Sequence, residues 1–140
     1  MEAVGVVASI IAVVQLSQAV VTLCYGYQNG VKNAPKDIAR IINEVKSLHG
    51  ILEQLQELLE NADDATRSSI LILLCSPDGP IEKCMGDLEG LREMLAPGNG
   101  LKELKRQLTW PIKEKEVRKT LDSIERHKAT FSIVLIIDQM

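Results

Sequence analysis

Aromatic side chains are nearly missing from this chain. They make up 3% of its residues, one Trp, two Tyr and one Phe. Little is left for stacking on nucleobases, and the core must be built from Leu, Ile, Val and Ala. Histidine is as scarce: His49 and His127 are the only two, and neither sits in a His-x-x-x-His or Glu-x-x-His context. The three cysteines, Cys24, Cys75 and Cys84, lie 51 and 9 residues apart with no Cys-x-x-Cys pair. Such spacing suits neither a zinc site nor a disulfide framework, and it fits reduced thiols acting as small core hydrophobes. A phosphate-cradling loop is lacking too. Gly98-Asn99-Gly100 has no Gly-Lys-Ser/Thr ending and no strand before it. Glu114 and Glu116 stand two apart on a helical segment, so they point to different faces and make no paired acid/base site. No enzyme activity, cofactor or metal is therefore expected.

Charge is absent from one long stretch. From Ala3 to Val31, 29 consecutive residues carry none, and most are apolar. A helix apolar around almost its whole circumference lies either at the centre of a protein core or in a bilayer. The 22 residues from Ala3 to Cys24 would span about 33 Å as a helix, close to the thickness of a membrane's hydrocarbon. Gly5 with Ser9, and Ala8 with Ala12, form two small-x-x-x-small pairs. These suit close helix approach in a membrane or tight packing at the centre of a bundle, and the spacing does not separate the two. The stretch is not a secretory signal, because Glu2 replaces the usual base and no small-x-small cleavage site follows. It is also a poor constitutive anchor: Gln15, Ser17, Gln18 and Thr22 interrupt its second half, and no basic cluster flanks it. A soluble, cytoplasmic resting form is expected.

Elsewhere charge is unevenly spread. The net charge of −3 combines an acidic middle with a basic C-terminal part, in which Leu101 to Lys128 holds nine bases against five acids. Lys102, Lys105, Arg106, Lys113, Lys115, Arg118 and Lys119 form a belt around Trp110. Interleaved Glu103, Glu114 and Glu116 dilute it, and with so few aromatics it is not read as a nucleic-acid site. The same belt suits anionic lipid head groups, or serves only as a solvated helix face.

The rest reads as one all-α domain over residues 1–140, a helical bundle of four to five helices with the apolar first helix packed centrally. That helix is expected from about Ala3 to Tyr27. Asn33-Ala-Pro-Lys-Asp37 is a helix start. It leads into a stripe of Ile38, Ile41, Ile42, Val45, Leu48, Leu52, Leu55 and Leu59, with charged residues between, ending near Asn61. Asp63 or Asp64 caps a short helix carrying Ile70 to Leu74. Pro80 opens another with Ile81, Cys84, Leu88, Leu91 and Leu95. The last helix carries Ile112, Val117, Leu121, Ile124 and Phe131 on one stripe. It ends in an apolar run, Phe131 to Ile137, expected to pack against the first helix.

Several segments together resemble a known family. They are the apolar N-terminal helix, Val31-Lys-Asn-Ala-Pro-Lys-Asp-Ile38, Gly79-Pro-Ile-Glu-Lys-Cys84, Asp87-Leu-Glu-Gly-Leu91 and Leu108-Thr-Trp-Pro-Ile-Lys-Glu-Lys-Glu116. In sum the chain resembles the fungal HeLo-like (HELL) domain. That domain is found at the N-terminus of fungal NOD-like (STAND) receptors and of amyloid-signalled cell-death effectors. It is similar to the HeLo domain of HET-S and to the four-helix domain of the mammalian necroptosis effector.

The resemblance implies a domain that executes programmed cell death in fungal non-self recognition. Self-association on activation would move it from the cytoplasm to the plasma membrane, where its N-terminal helix inserts. Carried onto this sequence, the inserting residues are Val4, Gly5, Val6, Val7, Ala8, Ile10, Ile11, Ala12, Val13, Val14 and Leu16. A NOD-like receptor or other regulator would supply the trigger, with this chain as the N-terminal domain of a longer protein. The alternative is a homotypic interaction module of such a receptor without membrane activity.

Overall fold

A computed structural model describes residues 2–30, 36–95 and 114–139; at 2–7, 27–30, 37, 114 and 137–139 it describes the helical backbone alone. The described residues form a helical bundle without strands: α1 (Glu2–Gly30), α2 (Lys36–Asn61), α3 (Asp64–Leu74), α4 (Pro80–Leu95) and α5 (Glu114–Gln139). The expected all-α bundle is what the chain forms. Asn33, Ile112 and Trp110 lie outside the described residues.

The amphipathic stripe of α2 sets the core. Ile38, Ile41, Ile42, Val45, Leu48, Leu52, Leu55 and Leu59 are all buried, as the three- and four-residue spacing requires. α1 packs against α2, α3 and α4, while α5 packs against α2 and α4. Four helices thus close a ring in the order α1–α2–α5–α4, which sets α1 and α5 on a diagonal. Ser17 meets His49 and Tyr25 meets Lys46, so α1 and α2 run antiparallel.

This ring corrects one expectation. The apolar run at the end of α5 packs on α2 and α4, with α1 not among the main partners of the described part of α5. Helical geometry also splits that run. Phe131 and Val134 are buried, whereas Ile133 and Ile136 face outward.

The hinges are built from local chemistry. Asp63 caps α3 by accepting from the Thr66 N–H at 2.7 Å, and that bond holds its carboxyl below the usual range. Arg67 folds back over the end of α2, donating Nε–H to the Leu59 carbonyl at 2.8 Å and Nη2–H to that of Ala62 at 3.0 Å. Between α3 and α4, Asp78 adopts a positive φ of 57°. A Cβ on the next residue, Gly79, would lie 2.7 Å from the Ser76 carbonyl oxygen, so glycine is required there.

Candidate functional surface

Residues Ala8 to Gly26 of α1, 19 in all, are long and apolar enough to cross a membrane by length and composition. A core helix of a soluble protein meets the same test, so its placement in the bundle matters. One face is buried: Ile10, Val13, Leu16, Ser17, Val20, Val21 and Cys24. The opposite face is open to solvent along Ala8, Gln15, Gln18, Thr22 and Tyr25. α1 is therefore covered on its inner side and uncharged on its outer side. That outer stripe explains the residues that had read as mere interruptions: Gln15, Gln18 and Thr22 recur at helical spacing and face water together.

Beneath the stripe is a polar junction. Ser17, fully buried, donates its hydroxyl to the Val14 carbonyl at 2.7 Å and lies 2.7 Å from His49 Nδ1 on α2. His49 Nδ1 also approaches the Val14 carbonyl at 3.2 Å, and its Nε2 faces the Glu53 carboxylate at 3.2 Å. A serine inside a helix and a histidine beside an apolar stripe are the only sequence signals for this junction.

Two further ties hold the ring on its far side. His127 Nε2 meets the Asp87 carboxylate at 2.6 Å, joining α5 to α4, and the imidazole stacks on Phe131. Lys128 Nζ donates to Glu44 at 2.8 Å and to Glu125 at 3.0 Å, joining α5 to α2. The bond to Glu44 is the main reason that the Lys128 ammonium is pushed above its ordinary value. A groove of about 300 Å³ runs between α4 and α5, with Leu48, Leu91 and Ile124 along it and Asp87, Glu116 and Lys119 among its polar members.

The predicted residues fall into distinct places. Ile10, Val13 and Leu16 are buried, Ile11, Ala12 and Val14 are half-buried, and Ala8 is exposed. Val4, Gly5, Val6 and Val7 lie in the first turns of α1, where only the backbone is described. Of the basic belt, Lys115, Arg118 and Lys119 are exposed near the start of α5, while Lys102, Lys105, Arg106 and Lys113 lie outside the described residues. Burial pushes the thiols of Cys24 and Cys84 up to about 12, which disfavours the reactive thiolate at neutral pH. Among the described residues no cluster of three or more His, Cys, Asp and Glu converges to hold a metal ion. Large aliphatics missed from sequence stand exposed in two places, Ile72 and Leu73 on α3, and Ile133 and Ile136 on α5.

No protein-family model matches this chain, and no curated protein or solved structure is significantly similar to it.

Proposed function

We propose that this chain is a membrane-acting helical domain, soluble and cytoplasmic at rest, whose first helix enters an anionic bilayer after self-association. One observation carries the reading: from Ala8 to Gly26 α1 is a charge-free stretch of spanning length, buried on one face only. Leaving the bundle would expose Ile10, Val13, Leu16, Val20 and Val21, at about 1.5–3 kcal/mol per large side chain. A bilayer offsets most of that, since lipid tails are as apolar as a core. The remaining difference is then small enough for contacts in an oligomer to bias.

The outer stripe gives self-association a physical reason. In hydrocarbon the Gln15 and Gln18 amides need hydrogen-bond partners, and a second copy of the same helix supplies them, whereas Thr22 donates to the Gln18 carbonyl of its own helix at 3.1 Å. Execution of programmed cell death at the plasma membrane is the proposed outcome. It rests on the resemblance to HeLo-like domains, as does a NOD-like receptor or other regulator as the trigger.

The test is dye release from liposomes with and without anionic lipid. The wild type is compared with a variant lacking Met1 to Ile10, once circular dichroism shows both folded. Release that needs both the lipid charge and those ten residues supports the reading. No release even under forced oligomerisation removes it.

The second reading is a homotypic interaction module without membrane activity. It is favoured by Ile72 and Leu73, exposed by 75% and 60% side by side on α3. Uncharged aliphatic pairs of this kind are common in protein contacts. It predicts that partner binding survives Val6→Asp in a folded bundle.

A further inference from the structure

The outward face of α5 is a single stripe. Lys115, Arg118, Lys119, Arg126, Ile133 and Ile136 are all exposed, and their spacing repeats over seven residues, so they line up along one side of the helix. The stripe spans about 32 Å. Its cations occupy the N-terminal part, with Asp122 as the one acid set among them. Glu116 and Glu125 border it, and Glu125 is engaged by Lys128 at 3.0 Å. Ile133 and Ile136, exposed by 56% and 58%, occupy the C-terminal part.

This face stands out against the rest of the molecule. The chain as a whole carries a net charge of −3. The exposed side of α4 bears Glu82, Asp87, Glu89 and Glu93 against Lys83 and Arg92. A uniformly acidic particle would be repelled by an anionic membrane. A positive stripe turns one side toward it instead.

We propose that the outward face of α5 is the surface by which the folded bundle first docks on an anionic bilayer. Its cations lie at the head groups, and Ile133 and Ile136 enter the boundary of the acyl chains. This inference rests on the membrane reading above and adds to it a separate first step. Because α1 and α5 lie on a diagonal of the ring, docking through α5 leaves α1 seated in the bundle. Docking and insertion are then distinct events on distinct helices. The stripe's composition favours lipid over a protein partner. Four cations dispersed along about 17 Å match a diffuse anionic plane, and two aliphatic side chains at the other end suit shallow insertion of a helix lying in the interface.

Co-sedimentation with large vesicles of phosphatidylcholine, with and without 30 mol% phosphatidylserine (about a third of the lipid, enough for a strong surface field), tests this directly. The variants are Ile133→Ser/Ile136→Ser, Lys115→Glu/Arg126→Glu and, as a control, Ile72→Ser/Leu73→Ser on α3. All six positions are exposed, so the variants are expected to fold, and circular dichroism checks this. Each α5 variant should bind phosphatidylserine vesicles at least about tenfold more weakly than the wild type, with the α3 control unchanged. Equal binding by the α5 variants, or an equal loss in the α3 control, overturns the proposal. Sedimentation reads α5 and dye release reads α1. Binding without release leaves the α5 surface standing while removing the insertion reading. Full release by both α5 variants does the reverse.

Discussion

The Ser17 hydroxyl lies 2.7 Å from His49 Nδ1, and the pair joins α1 to α2 within a largely apolar interface. Ser17 is the one fully buried polar side chain among the described residues, flanked along α1 by buried Val13, Leu16 and Val20. With Nδ1–H donating, the imidazole serves both the hydroxyl and the Val14 carbonyl. With Nδ1 accepting, the hydroxyl turns from Val14 toward the ring. Either way the His49 ring meets these partners only while α1 is seated. It therefore acts as a buried polar latch on a helix held mainly by non-directional burial, beside the exposed bond from Lys46 to Tyr25.

His49→Leu removes the latch and leaves no orphan, because Ser17 keeps the Val14 carbonyl. Stability should fall by about 1 kcal/mol, read as a lower urea midpoint with unchanged slope. Dye release should then begin at lower protein concentration. Unchanged stability in both His49→Leu and Ser17→Ala would show that the latch contributes nothing.

Arg67 is the corresponding device at the α2–α3 hinge. It donates to the Leu59 and Ala62 carbonyls, which the end of α2 leaves without helical partners. Arg67→Ala should cost about 1–3 kcal/mol, since its bonds carry charge and those to Leu59 and Ala62 are both part-buried. Arg67→Lys should recover only part of this, because an ammonium cannot fork across two carbonyls in the same way. Urea titrations of the three proteins decide it.

The Lys128 ammonium sits between Glu44 and Glu125, and its pKa is raised above the ordinary 10.5. A raised pKa on a base means that the folded state holds the proton more tightly. The stabilisation is therefore fully present below about pH 10.5 and is lost as pH climbs through the higher folded value. Lys128→Met should remove that dependence. Subtracting the variant's urea midpoint from the wild type's, between pH 8 and pH 11 (a range chosen to bracket the ordinary value), isolates it from other lysines. A difference that does not shrink toward the alkaline end would contradict the assignment.

The bundle was legible where polar and apolar residues divide cleanly. α2 has charges on one face and aliphatics on the other, and every residue of its expected stripe is buried. α1 offers no such division, so its composition fits a core and a bilayer equally. Gln15, Gln18 and Thr22 do mark its outer face, but weakly, since glutamine and threonine are tolerated on either side of a helix. The end of α5 misleads for a related reason: a run with Ser132 as its one polar residue reads as one apolar block, although a helix must turn part of it outward. Ile133 and Ile136 are that part. The latch was beyond reach, as Ser17 and His49 are 32 residues apart and neither belongs to a motif.

Cys24 offers a probe of α1 in place. It lies on the buried face, and burial holds its thiol at about 12. At pH 8 it should resist maleimide in the folded protein, while half-buried Cys75 reacts first. In His49→Leu, labelling of Cys24 should speed up while that of Cys84, buried on α4, does not. Equal acceleration at both thiols would mean general loosening of the bundle, without selective release of α1.

Gln15 and Gln18 bear on whether released helices associate. Both are exposed on the folded bundle, so Gln15→Leu/Gln18→Leu leaves the core intact and changes bundle stability by less than about 1 kcal/mol. In a bilayer the same change removes the groups that need hydrogen-bond partners from a second helix. If self-association depends on them, vesicle binding persists in the double variant, but cross-linked oligomers and dye release fall together. A more apolar helix inserts more readily. Greater release would therefore show that insertion alone permeabilises the membrane and that the polar stripe limits it. Release thus falls if Gln15 and Gln18 join helices and rises if they only hinder entry.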